Sequence, residues 1–123
     1  DKVLFFKSIA VFEGIPGVVL SSLADISEEV KLIPEATLVV DGKINNNFYI
    51  VYSGKVEFYE KGQLGGEYTQ GQFIGEMVAS SSYVNTHVLV AKASTILLSF
   101  NKDQFYELLA DNVKLADRVL EYV

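Results

Sequence analysis

The residues able to do chemistry are concentrated in the segment Gly71-Gln72-Phe73-Ile74-Gly75-Glu76-Met77-Val78. Gly75 leads into a short apolar run, Met77-Val78-Ala79, that reads as the start of a helix. A helix N-terminus presents unpaired backbone N–H groups and the positive end of its dipole, so it favours an anion. Glycine lets the backbone come close to whatever sits there. Glu76 carries a carboxylate that accepts hydrogen bonds from ligand hydroxyl groups, or from amides of its own loop. The chemistry implied is that of holding a small, hydroxyl-bearing anion. Taken alone, a short Gly-Glu pair is more often a plain turn.

The remaining residues do not assemble a reactive centre. One histidine and no cysteine exclude most nucleophile–base pairs and most metal sites. His87 falls at the start of a strand, where packing or surface exposure is the expected role. Glu28, Glu29, Glu57, Glu60 and Glu67 sit at strand and loop positions and read as solvated surface. Ser80-Ser81-Ser82 has no base beside it. Tyr49, Tyr52, Phe58, Tyr59 and Tyr68 lack the interleaved basic residues that base stacking on nucleic acid requires, so they read as core and cross-strand packing. A net charge of −6 opposes a phosphate backbone at long range, so no direct nucleic-acid binding is expected, although one pocket can still be locally positive. No apolar run approaches the roughly 18 residues of a membrane span. The absence of cysteine suits a reducing compartment, and a cytoplasmic location is expected. The chain opens on Asp1, and Met77 is its only methionine, which suggests a fragment excised from a longer protein.

These residues must be positioned by a mixed scaffold. A short helix is expected from Asp1 to about Ser8, with Val3, Leu4, Phe6 and Ile9 inward. Val11-Phe12 adds an apolar patch before a turn at Gly14. Pro16 suits the first turn of a second helix, Gly17 to Asp25, with Val18, Val19, Leu20 and Leu23 as its apolar side. From Glu29 the period becomes two, and Pro34 divides two short strands. Asp41-Gly42 and the asparagines Asn45 to Asn47 make a loop. Strands follow at Phe48–Tyr52, around Val56 and Phe58, and at Leu64–Thr69, the last interrupted by Gly65-Gly66. The stretch Gly71 to Val84 does not read as strand. His87–Ala91 and Ile96–Phe100 do. Two helices close the chain: one capped by Asn101 or Asp103 carries Phe105, Leu108 and Leu109, and one capped by Asp111 or Asn112 carries Val113, Leu115, Val119 and Leu120. The whole, residues 1–123, reads as one domain: mainly β, a sandwich or rolled barrel, flanked by helices at both ends.

The run from Gly42 through Asn45-Asn46-Asn47 and Phe48-Tyr49-Ile50-Val51 to Gly54 and Val56 resembles the cyclic-nucleotide-binding domain family. Gly71-Gln72-Phe73-Ile74-Gly75-Glu76-Met77 is similar to the opening of that family's phosphate-binding cassette. Asp103, Phe105, Leu108 and Leu109 fall where its C-terminal helices begin. The resemblance implies a double-stranded β-helix, that is, a jelly-roll-like β-roll with two short N-terminal helices and C-terminal helices. It implies a regulatory, non-enzymatic domain that needs no cofactor and takes cAMP or cGMP as ligand. The implied ligand-binding residues are Phe73, Gly75, Glu76, Met77, Val78, Asn85 and Thr86, with Glu76 on the ribose hydroxyl.

One position departs from the family. Counting from Gly75-Glu76, the cassette's arginine falls on Asn85 and its proline on Val84, and residues 79–85 contain no basic side chain. Losing one partner of a buried charge pair costs about 2–5 kcal/mol, or roughly 30- to several-thousand-fold in affinity. Two expectations follow. The domain is a ligand sensor with weak or altered binding, attached to other domains of a parent protein. Alternatively, it has lost its ligand and serves as an interaction or homodimerisation module through its terminal helices.

Overall fold

The computed structural model describes residues 1–41, 46–75 and 86–122. Helix α1 (Lys2–Lys7) is followed by a single 3-10 turn (Ala10–Phe12) and helix α2 (Gly17–Ile26). Strands β1 (Ser27–Leu32), β2 (Thr37–Asp41), β3 (Asn47–Ser53), β4 (Lys55–Glu60), β5 (Gln63–Thr69), β6 (Phe73–Ile74), β7 (Thr86–Ala91) and β8 (Thr95–Asn101) come next. Helices α3 (Lys102–Asp111) and α4 (Val113–Tyr122) finish the chain. The strands form two antiparallel four-stranded sheets, ordered β1-β8-β3-β6 and β2-β7-β4-β5.

Local chemistry explains the ends of these elements. Asp1 caps α1 by accepting from the Val3 N–H at 2.8 Å. Pro16 lies at the N-cap of α2, one residue before the expected first turn, and its carbonyl accepts from Val19 and Leu20. Asn101, not Asp103, caps α3 by accepting from Gln104 N–H at 3.1 Å. Asp103 is occupied elsewhere, accepting from Asn46 Nδ2 at 2.9 Å. Asn112 serves both neighbouring helices: its amide donates to Leu108 O, and its carbonyl accepts from Ala116.

Two expectations about strands are corrected. Phe73-Ile74 is a strand, pairing with Ile50 and Tyr49 of β3, because its two apolar residues can each bury against a different core. Gly65-Gly66 does not interrupt β5. The register shifts opposite Phe58/Tyr59, so the strand absorbs an extra residue as a bulge and continues. The apolar faces are also narrower than the sequence pattern suggests. Leu4, Val18, Val113 and Leu120 are exposed, and the buried members are Phe6, Ile9, Leu20, Leu23, Leu115 and Val119.

Two cores result. One lies between the helices and the outer face of the first sheet, and it is aromatic: Phe6, Phe12, Phe48, Phe100 and Phe105 are fully buried there. Phe48 and Phe100 stack at 4.9 Å with 11° between planes, and Phe105 meets Phe48 edge-on at 4.9 Å. The other core lies between the sheets and is built from Leu32, Tyr49, Val51, Val56, Ile74, Leu89, Ala91 and Leu97.

Candidate functional site

The site is set by how the chain enters and leaves residues 76–85. On the entering side, Gly71 N–H donates to Val51 O at 2.8 Å and Val51 N–H donates to Gln72 O at 3.0 Å. The Gln72 side chain accepts from Thr69 N–H at 2.7 Å, closing the turn before β6. Ile74 then pairs with Tyr49, and Gly75 follows with φ +88. That conformation is left-handed, which other residues adopt only with strain, so glycine is the fitting residue there. On the leaving side, Thr86 opens β7 opposite Asp41 of the second sheet. The segment therefore starts on one sheet and ends on the other, at the same end of the roll.

Of the residues nominated from sequence, Phe73 and Gly75 lie among the described residues, and Thr86 is described through its strand pairing. Glu76, Met77, Val78 and Asn85 lie outside the described residues. The Phe73 ring does not face the interior between the sheets. It packs into the helical core, 6.2 Å from Phe12, 6.4 Å from Phe48 and 5.3 Å from Tyr122. Ile74, its neighbour, is the residue that faces between the sheets. His87 pairs with Val40 within β7, the strand position expected for it.

Two residues near this entrance were missed from sequence. Arg118 of α4 donates to Ala10 O at 2.7 Å and to Glu121 at 3.2 Å. Tyr122 lies edge-on to Phe73. Together they hold the end of α4 against the 3-10 turn and β6. A cleft of about 370 Å³, lined by Phe5, Ile9, Val11, Gln72, Phe73 and Tyr122 among others, lies at this junction. The spacing carried a signal: Tyr122 follows Val119 by three residues, so it shares that helix face.

Charged groups cluster away from the entrance, on the outward face of the second sheet. Lys92 Nζ lies 3.2 Å from Glu35 and 3.7 Å from Glu57, and Tyr59 donates to Glu57 at 3.1 Å. The Glu35 hydrogen bond raises the Lys92 pKa, and the Glu57 hydrogen bond raises that of Tyr59. Among the described residues no group of acidic or histidine side chains is placed to hold a metal ion. No helix there is long and apolar enough to cross a membrane.

The fold is thus a two-sheet roll with helices packed on the first sheet, and the chain between Gly75 and Thr86 links the first sheet to the second. The family model of the cyclic nucleotide-binding domain matches residues 29–112, and the chain belongs to that family. It is 26% identical over 107 residues to a cAMP-dependent protein kinase regulatory subunit from Yarrowia lipolytica, covering 85% of this chain and 28% of that one. A subunit of the same description from Colletotrichum orbiculare is 25% identical over 107 residues, covering 85% and 27%. The chain thus spans little more than a quarter of these relatives. Among solved structures, the sensor domain of the transcriptional regulator DNR from Pseudomonas aeruginosa aligns with a TM-score of 0.76 at 26% identity, covering 97% of this chain and 83% of that one. The structure titled cAMP-bound PfPKA-R aligns with a TM-score of 0.74 at 15% identity, covering 98% and 45%, and shows the shared fold.

Proposed function

We propose that this chain is a ligand-sensing regulatory domain, not an enzyme, that takes cAMP or cGMP between the roll and the segment from Gly75 to Thr86. Membership of the family over residues 29–112 carries the reading. The left-handed Gly75 at the entrance supports it. In this reading Gly75, Met77 and Val78 offer backbone N–H groups, Glu76 holds the ribose hydroxyl, and Asn85 with Thr86 faces the phosphate. Phe73 anchors the entering strand. Asn85 supplies a neutral contact where the family uses arginine, so affinity is weak. Residues 1–123 act as one cytoplasmic module of a longer protein and relay occupancy to its other domains through α4.

Isothermal titration calorimetry with cAMP and cGMP up to millimolar ligand tests this. Weak saturable binding is expected. Asn85→Arg should tighten it at least tenfold, and Glu76→Ala should weaken it by about tenfold, the scale of one charged hydrogen bond. Absence of heat for both nucleotides, in the wild type and in Asn85→Arg, overturns the reading.

A second reading has its own observation. Val113 and Leu120 stand exposed two turns apart on α4, and Leu4 and Val18 are exposed on the N-terminal helices. A ligand-free domain would use these for homodimerisation. Light scattering across a hundredfold concentration range checks it, and a concentration-independent monomer rejects it.

A further inference from the structure

The cleft where α1, the 3-10 turn, the turn between β5 and β6 and the end of α4 meet lies on the helical side of the first sheet. Phe5, Ile9, Val11 and Phe73, which line it, belong to the helical core and not to the core between the sheets. Its volume of about 370 Å³ falls inside the roughly 300–1,000 Å³ range of small-molecule pockets. Ile9 and Val11 are buried, Phe5 and Phe73 are half-buried, and Tyr122 is 56% exposed. Aromatic surface left against water beside a concavity is surface that a fitting ring would cover favourably.

None of the described lining residues is charged, in a chain where 21% of residues are. Arg118 and Glu121 line a separate cleft of about 200 Å³ that shares Tyr122, and they pair with each other at 3.2 Å. An ion entering the larger cleft would leave water without a counter-charge, so the cleft favours a neutral molecule. Two amides on its rim set the polar requirement. Gln70 Nε2 donates to Tyr52 O at 3.2 Å, and Gln72 Oε1 accepts from Thr69 N–H at 2.7 Å. Each amide has one end engaged, so for a ligand the Gln70 oxygen is the acceptor and the Gln72 nitrogen the donor.

We propose that this cleft binds a small neutral aromatic molecule, a ring system of indole size carrying one polar N–H or O–H group. The ring covers the exposed flanks of Phe5, Phe73 and Tyr122, and its polar hydrogen goes to the Gln70 oxygen. Such an occupant touches the 3-10 turn, β6 and the end of α4 at once, and so clamps α4 in the position that the edge-on contact of Tyr122 with Phe73 defines. The site is separate from the interior of the roll and does not depend on what binds there.

Indole itself is the probe. The chain contains no tryptophan, so fluorescence excited beyond the tyrosine band comes from indole alone. Titration of the whole chain should saturate with a dissociation constant of about 1 mM, the scale open to so small a ligand. Amide NMR shifts should gather at Val11, Gln72 and Tyr122. Indole-3-carboxylate, the same ring with a charge, should bind about tenfold more weakly. Ala10→Phe adds bulk from an exposed lining position, and Tyr122→Ser removes one wall at the exposed end of α4. Thermal melts show that each variant folds, and each should weaken indole by about fivefold or more. Binding that does not saturate, shifts that gather elsewhere, a preference for the carboxylate, or affinity unchanged in both folded variants overturns the proposal. Any of these leaves the cyclic-nucleotide reading standing, because that reading is tested by cAMP and cGMP at a different place.

Discussion

The two sheets are built to different rules. The first is buried on both faces: Phe48, Ile50, Leu98 and Phe100 turn toward the helices, and Tyr49, Val51 and Leu97 turn toward the second sheet. Its central strands accordingly read as unbroken apolar runs, Phe48-Tyr49-Ile50-Val51 and Ile96-Leu97-Leu98. The second sheet buries one face. Val56, Leu89 and Ala91 point inward, while Lys55, Glu57, Glu67 and Lys92 form ion pairs on the other side. The lesson is a division of labour. The doubly buried sheet is a frame that fixes β6 and Gly75 against aromatic packing. The singly buried sheet is a wall whose inner face ends in a half-buried rim, Phe58 and Tyr68.

The largest expected effect sets one core against the other. Phe48→Ala removes the ring on which Phe100, Phe105 and Phe73 all pack, and should cost about 3–5 kcal/mol in urea unfolding. Leu89→Ala, at the centre of the wall, should cost about 2–3 kcal/mol, the lower part of the range for such truncations. A larger loss at Leu89 than at Phe48 would break the comparison.

Next comes the turn that starts the wall. Gly54 has φ +92, and a Cβ there would lie 2.6 Å from Ser94 O and 2.7 Å from Thr95 Cα. Thr95, nearly fully buried, accepts from Lys55 N–H at 3.1 Å in the same corner. Gly54→Ala combines a strained backbone with a clash against main chain and should cost about 2–3 kcal/mol by chemical denaturation. A loss under about 0.5 kcal/mol would mean that this corner yields easily.

The same division explains what the sequence made legible. Period-two alternation from Glu29 located β1 and β2, aromatic and β-branched residues located β3, and the Ser53-Gly54 turn marked where β4 begins. The resemblance carried by Gly42 to Val56 and Gly71 to Met77 was borne out by the family match over residues 29–112. β6 escaped because two residues carry no period, and only pairing with Tyr49 and Ile50 reveals them as strand. Val18, Val113 and Leu120 were assigned inward because apolarity alone does not say which arc of a helix meets the core. The direction of the Phe73 ring was equally hidden, since it depends on Phe12 and Tyr122, which are distant in sequence.

The smallest effect concerns the outward face of the wall. Lys92 has its pKa raised above the ordinary 10.5, first through its hydrogen bond to Glu35. Tyr59 is raised above 10.0, first through its bond to Glu57. For both, the folded state holds the proton more tightly than the unfolded chain does. Their stabilisation is therefore complete below the unfolded values and is lost as pH rises through the folded ones. Stability should fall as pH climbs past about 10, where other lysines and tyrosines also titrate, so the diagnostic quantity is a difference. Lys92→Met should lower stability slightly at neutral pH, and its deficit against wild type should shrink above about pH 10.5 as the wild type loses the same charge. Urea midpoints of both proteins from about pH 8 to pH 11 measure this. A deficit that grows with pH would place the Lys92 contribution in packing of its stem, and the outward face would then share the inner face's reliance on apolar contact.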